Sequence, residues 1–252
     1  MINFLSSFNF TQIEWLLLFL GAILIGANKT GLVSLSLLAI PIFASIFGGK
    51  ASSGIVLPIL ILADIFAVFS FRKGVKWKEF LGLMPWAICG ILIALLIGNF
   101  VSDKLFKLLM ACAVFIVLIF LVYKEISGRN FSLKSHWYTN AAIGLLGGFS
   151  TMIGNAAGPI MTVYFLSIDL DKDEFVATRA WFFWVINLIK LPLHIFVWQT
   201  VSIRSFCFDL LLIPAIVIGG LIGLLLVKRL PEKPYRIFVI VATLVSSIFL
   251  II

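Results

Sequence analysis

The sequence predicts an all-α integral membrane protein made of two homologous halves, and three observations predict it. Of the 252 residues, 62% are hydrophobic and only 12% charged, with a mean hydropathy of +1.19; a soluble globular chain carries roughly a quarter charged residues. Apolar runs long enough to cross a bilayer recur along the whole length. A hydrophobic segment interrupted by polar residues also occurs twice, about 123 residues apart.

The first half, 1–125, opens with a broken segment at 13–47, interrupted by Asn28, Lys29, Thr30 and Gly31. Apolar helices are expected after it at 53–71, 80–100 and 104–123, and a loop at 126–137 leads to the second half. That half, 138–252, repeats the order. Its broken segment, 138–167, is interrupted by Ser150 and Thr151 and then by the run from Gly154 through Asn155 and Gly158 to Pro159. Helices are expected at 174–198, 206–227 and 235–252. Gly21 aligns with Gly144, Gly31 with Gly154 and Asp64 with Asn187 at an offset of 123, while Pro85 with Pro214 and Gly90 with Gly220 follow at offsets of 129 and 130. Irregular polar backbone at membrane depth survives only where protein or a watery cavity surrounds it, and matching breaks in two halves point to a transport site between them.

Loop charge decides how the halves are oriented. If each broken segment crosses once, the loop cations split eight to eight and the halves are parallel. If each enters and returns, the split is twelve to four. One side then holds Arg72, Lys73, Lys76, Lys78, Lys124, Arg129, Lys134, Lys172, Lys228, Arg229, Lys233 and Arg236, and the other Lys50, Lys104, Lys107 and Arg204. Lys and Arg accumulate on the cytoplasmic face. The expectation is therefore inverted-topology repeats, each a re-entrant broken segment plus three transmembrane helices, with both termini outside. Ten short crossings give the same charge split.

Other signals are weaker. Met1 to Thr11 has no Lys or Arg, so no basic region of a cleaved signal peptide is expected. The net charge of +8 sits in short loops and reads as topology rather than as nucleic-acid binding. Cys89, Cys112 and Cys207 lie in apolar runs and read as buried thiols without metal or disulfide spacing. Trp15, Trp77, Trp137 and Trp198 fall near segment ends, where the membrane interface favours them. No metal cluster, nucleophile–base pair or phosphate loop appears, so neither an enzyme nor a cofactor is expected. Few soluble residues remain for a scaffold's protein partner, and oligomeric state is left open, a homo-oligomer included.

Ionisable side chains inside a membrane are costly and mark a pathway or site. Four are singled out here, Lys29, Asp64, Arg179 and Lys190, and three of them are cations. That bias points to an anionic solute. Arg179, Phe183, Asn187, Lys190 and His194 are spaced 4, 4, 3 and 4, which places them on one helix face. Arg179 either joins the site or snorkels to the interface. Lys190 either meets the substrate or pairs with Asp64. Asp64 pairs with Lys29 or Lys190, or carries a coupling proton. His194 reads as an interfacial or hydrogen-bonded residue. At the breaks, Thr30 and Asn155 are expected as N-caps of the second arms. Their free backbone N–H groups and the donors Asn28, Lys29, Thr30, Ser150, Thr151 and Asn155 would then face a tetrahedral oxyanion near the midplane. The expected substrate-binding set adds Arg179, Asn187 and Lys190, with Asp64 as coupling residue or ion-pair partner.

At these residues the chain resembles the sulfite exporter TauE/SafE family of bacterial membrane permeases. The resemblance spans essentially the whole chain. It rests on the paired glycine-rich breaks, Gly26 to Gly31 and Gly147 to Gly158, each followed by a polar-marked helix. Asp64 within Leu62, Ala63, Asp64, Ile65 and Asn187 within Val185, Ile186, Asn187, Leu188 are similar to the family's pattern. The first break, with Asn28, Lys29 and Thr30, is poorer in glycine than many members. The resemblance implies secondary transport of sulfite or short organosulfonates across a bacterial inner membrane, without an ATPase domain. The residues by themselves leave an anion channel, or a carrier of a small carboxylate, as alternatives.

Overall fold

The computed structural model of the chain describes residues 10–32, 35–71, 73–98, 136–168 and 170–231, with a few isolated positions beyond them. Nearly all of the helices expected at 104–123 and 235–252, and most of the 126–137 loop, lie outside the described residues. Within the described residues there are eight helices and no strand. In chain order they are α1 (Gln12–Lys29), α2 (Ser36–Phe47), α3 (Gly49–Ser70), α4 (Trp77–Ile97), α5 (Trp137–Gly154), α6 (Gly158–Ser167), α7 (Lys172–Phe196) and α8 (Ile203–Arg229). α1, α3, α4, α7 and α8 are long and apolar enough to cross a membrane.

Helix starts differ from the hydropathy expectation because polar caps set them. Thr11 with Glu14, Asp171 with Glu174 and Ser202 with Ser205 each form a capping box. Two otherwise orphaned N–H groups are satisfied at each start. α7 and α8 therefore begin two or three residues before the apolar runs do.

Each broken segment doubles back. α1 rises from Trp15 to Lys29, and α2 returns beside it. Phe43 lies against Gly21, and the Phe47 ring reaches Phe10, 5.5 Å away between centroids. α6 likewise returns along α5, with Met161 against Gly147 and the Tyr164 hydroxyl donating to Asn140 Oδ1 at 2.6 Å. Gly31 makes the first turn possible, since its φ of +123° is closed to residues with a side chain.

The two halves interlock. α1 packs parallel to α8, Ile23 against Gly219 and Gly31 against Val227. α5 packs parallel to α4, Asn140 against Gly82 and Phe149 against Gly90. Exchanging the halves maps one pair onto the other. The equivalent helices α3 and α7 run head to tail: Gly54 meets Thr200, Asp64 meets Asn187, and Lys76 N–H donates to Thr178 Oγ1 at 2.9 Å. These directions gather Lys73, Lys76, Lys78, Lys172, Lys228 and Arg229 at one end of the bundle and leave Lys50 and Arg204 at the other.

α4 and α8 turn Leu81, Leu92, Leu96, Ile218, Leu221 and Leu225 outward, as lipid contact requires. Cys89 is exposed on this outer surface and Cys207 partly so, not buried as hydropathy suggested; Cys112 lies outside the described residues. Trp77 and Trp137 are exposed near helix ends. Trp198 is instead buried beneath Gly98 and His194, so it is a packing residue and not an interfacial one.

Inter-helix glycines set how closely these pairs approach. A Cβ on Gly148 would collide with the Ala87 carbonyl oxygen, whereas nothing lies within 4 Å of one on Gly158. Gly148→Val should therefore lower stability by about 1–3 kcal/mol or more, the usual cost of overpacking. Gly158→Ala should leave it nearly unchanged, and thermal unfolding of the detergent-solubilised variants checks the contrast.

Candidate anion-binding site

Both hairpin tips and the middle of α7 converge on one small cavity. Asn28, Lys29 and Ser36 from the first hairpin, Thr151, Asn155 and Gly158 from the second, and Arg179, Phe183 and Asn187 from α7 line it, with Leu60 of α3. Its ≈ 20 Å³ of space for the centre of a water-sized sphere exceeds the roughly 10–15 Å³ that one water needs. Most of the lining is buried.

α7 supplies the polar stripe. Arg179, Phe183, Asn187, Lys190 and His194 all face inward and all are buried, so Arg179 does not snorkel. Its guanidinium donates to the Asn28 carbonyl oxygen at 3.0 Å and to Asn28 Oδ1 at 3.3 Å. That carbonyl belongs to the last turn of α1, where oxygens lack partners within the helix and favour a cation.

Lys29 forms an ion pair with Asp64 Oδ1 at 2.6 Å, and both side chains are buried. The Lys29 ammonium also lies 4.8 Å above the Phe183 ring, and the Arg179 guanidinium lies 5.3 Å from it. The second Asp64 oxygen accepts from Asn187 Nδ2 at 2.6 Å. Of the alternatives open to Asp64, the partner is therefore Lys29.

Among the described residues Lys190 has no such carboxylate. Its ammonium donates to Asn155 Oδ1 at 2.5 Å, Thr151 Oγ1 at 3.2 Å and Asn187 Oδ1 at 3.4 Å, all uncharged oxygens. Among the described residues the cluster holds the cations Lys29, Arg179 and Lys190 and the carboxylate Asp64.

Two expectations about the breaks are corrected. Thr30 is the C-cap of α1, and its hydroxyl donates to the Gly220 carbonyl of α8 at 2.9 Å. Asn155 is the left-handed C-cap of α5 at φ 54°. Its Nδ2 donates to the Ser53 carbonyl at 2.9 Å. The second arms start at Leu35 and Ala157 without side-chain caps. The first arm has to be closed before the second can begin. Asn is the usual substitute for glycine in that left-handed position, and its use here was readable from the Gly154–Asn155 pair. Ser150 is buried in the last turn of α5, where its carbonyl accepts from Ala156 N–H.

The structure also places residues that the sequence reading left out. Phe183 belonged to the stripe but carried no role; its ring is the floor beneath two cations. Asp209 of α8 is a further buried ionisable residue, with no hydrogen-bond partner among the described residues. Its seat near the start of an apolar run hid it. His194 is hydrogen-bonded through Nδ1 to Thr200 Oγ1 at 2.8 Å. Among the described residues no three His, Cys, Asp or Glu side chains converge as metal ligands would.

Removing the carboxylate alone should be costly. Asp64→Asn leaves the buried Lys29 without a counter-ion and should destabilise the protein by about 3–5 kcal/mol. Lys29→Met combined with Asp64→Leu should recover most of that loss. Chemical or thermal unfolding of the single and double variants measures both.

The chain matches the family model described as "Sulfite exporter TauE/SafE" over residues 17–250. No curated protein and no solved structure matches it. The family consists of membrane transporters and not of enzymes, in accord with the long apolar helices. A multi-pass permease with two interlocked hairpins around a buried cationic cavity, the chain belongs to the sulfite exporter TauE/SafE family.

Proposed function

We propose that the chain is a secondary transporter of small sulfur oxyanions such as sulfite or short organosulfonates, bound between the two hairpin tips. The observation that carries this reading is the convergence of buried Lys29 and Arg179 with both hairpin tips on one cavity. An anion is the ligand that such a lining favours. The hairpins add donors, because Ser36 and Gly158, at the starts of α2 and α6, both line the cavity. Free N–H groups and the positive dipole end of a helix favour negative charge. The choice of sulfur over carboxylate rests on family membership.

The cavity has water-sized room, so a bound sulfite requires the hairpins to part slightly. A site lined mostly by buried side chains supports a carrier over an open pore. The head-to-tail crossing of α3 and α7, together with opposite directions for α1 and α5 and for α4 and α8, supports inverted repeats. Cations gathered at the α3–α4 end support a cytoplasmic assignment for that face. Both termini then lie outside, in a bacterial inner membrane. Lipid and the anion are the partners this reading requires.

Sulfite should raise the unfolding temperature of the detergent-purified protein, since a ligand of the native state stabilises it by mass action. In proteoliposomes it should exchange across the bilayer, and Arg179→Gln should weaken both effects at least tenfold. Stabilisation by acetate but not by sulfite or methanesulfonate would reassign the substrate to carboxylates.

A further inference from the structure

We propose that Phe183 is a positioning residue of the anion site, the face of its ring holding the Lys29 ammonium and the Arg179 guanidinium where both line the cavity. The inference rests on the anion reading above and deepens it by naming what fixes the charges that meet the anion.

Lys29 reaches the cavity from the end of α1 and Arg179 from α7, and Phe183 lines it with them. Each cation is held from one direction by oxygen. Asp64 Oδ1 takes the Lys29 ammonium at 2.6 Å, and Asn28 takes the Arg179 guanidinium through its carbonyl oxygen and its Oδ1. The ring is the one group over which both cations lie, at 4.8 Å for Lys29 and 5.3 Å for Arg179. Two like charges so close to a common point repel each other. The negative face of an aromatic ring attracts a cation within about 6 Å of its centroid, more strongly where water is excluded. Phe183 is buried, as are both cations.

The helix explains why the ring stands there. Arg179, Phe183 and Asn187 are one turn apart on one face of α7. Helical side chains lean toward the N-terminus, which brings the ring back toward the Arg179 side chain. Successive turns of α7 thus hold Asn28, then Lys29, then the Asp64 carboxylate that pairs with Lys29. A leucine at position 183 would fill much of the same space without offering that face. The adjacent Phe182 shows what a packing ring does in this helix: it is fully buried and meets the Phe165 ring edge-on at 6.2 Å.

Fluorination draws electron density from the ring face with little change of shape, so it separates the face from the bulk. Mono-, di- and trifluorinated phenylalanine are placed at position 183 of the full chain by nonsense suppression. Calorimetry then measures sulfite and methanesulfonate binding to the detergent-purified protein. Affinity should fall stepwise with each fluorine, by about tenfold in all, and Phe183→Leu should lose at least as much. The same series at Phe182 should leave affinity unchanged. Affinity that stays flat along the Phe183 series, or rises because the anion itself meets the ring face, would overturn the proposal and leave the anion site standing. An equal fall along the Phe182 series would overturn it too. An unmodified chain that binds neither sulfite nor methanesulfonate would instead remove the anion reading, and this inference with it.

Discussion

A helix that stops in the buried interior leaves carbonyl and N–H groups that need partners, and this chain stops two helices there. The partners come from other parts of the fold. Arg179 donates to the Asn28 carbonyl at the end of α1, Thr30 ties the same end to Gly220 of α8, and Asn155 ties the end of α5 to the Ser53 carbonyl of α3. Several of the groups that close the breaks also line the cavity. Closure of the breaks and the lining of the cavity therefore fall to the same residues.

The described helices pair in corresponding ways, and their charges do not correspond. α1 on α8 mirrors α5 on α4, and α3 crosses α7 at the aligned residues Asp64 and Asn187. Yet one of those positions is a carboxylate and the other an amide. At the offset of 123, Lys29 corresponds to Met152 and Lys190 to Ala67. The contact between Asp64 and Asn187 joins the ion pair on one side, Lys29 with Asp64, to Lys190 on the other, held by uncharged oxygens. An amide suits that place because it donates to a carboxylate with Nδ2 and accepts from an ammonium with Oδ1 at once. α7 brings Arg179 to the first hairpin and Lys190 to the second, so the helix bridges both tips.

Membrane character, the paired breaks, the doubling of the chain and the cationic bias were legible in the sequence, because each follows from local composition and spacing. A net excess of buried Lys and Arg is visible wherever apolar runs contain them, and a period near 3.6 puts Arg179, Asn187 and Lys190 on one face without any fold. Capping boxes at Asp171 and Ser202 were equally local, although hydropathy alone passed over them.

Pairing is a different matter. Whether Asp64 met Lys29 or Lys190, whether Arg179 turned inward, and what Thr30 did with its hydroxyl depended on which helices became neighbours and in which direction they ran. These contacts join positions 35 to 190 residues apart, and no local pattern ranks one buried partner above another. The sequence by itself determined that several charges would be buried in a twice-broken membrane protein. Only the tertiary structure decided that Asp64 neutralises Lys29 and that Lys190 is held by neutral oxygens, because packing the hairpins against α3 and α7 sets the distances on which every electrostatic term depends.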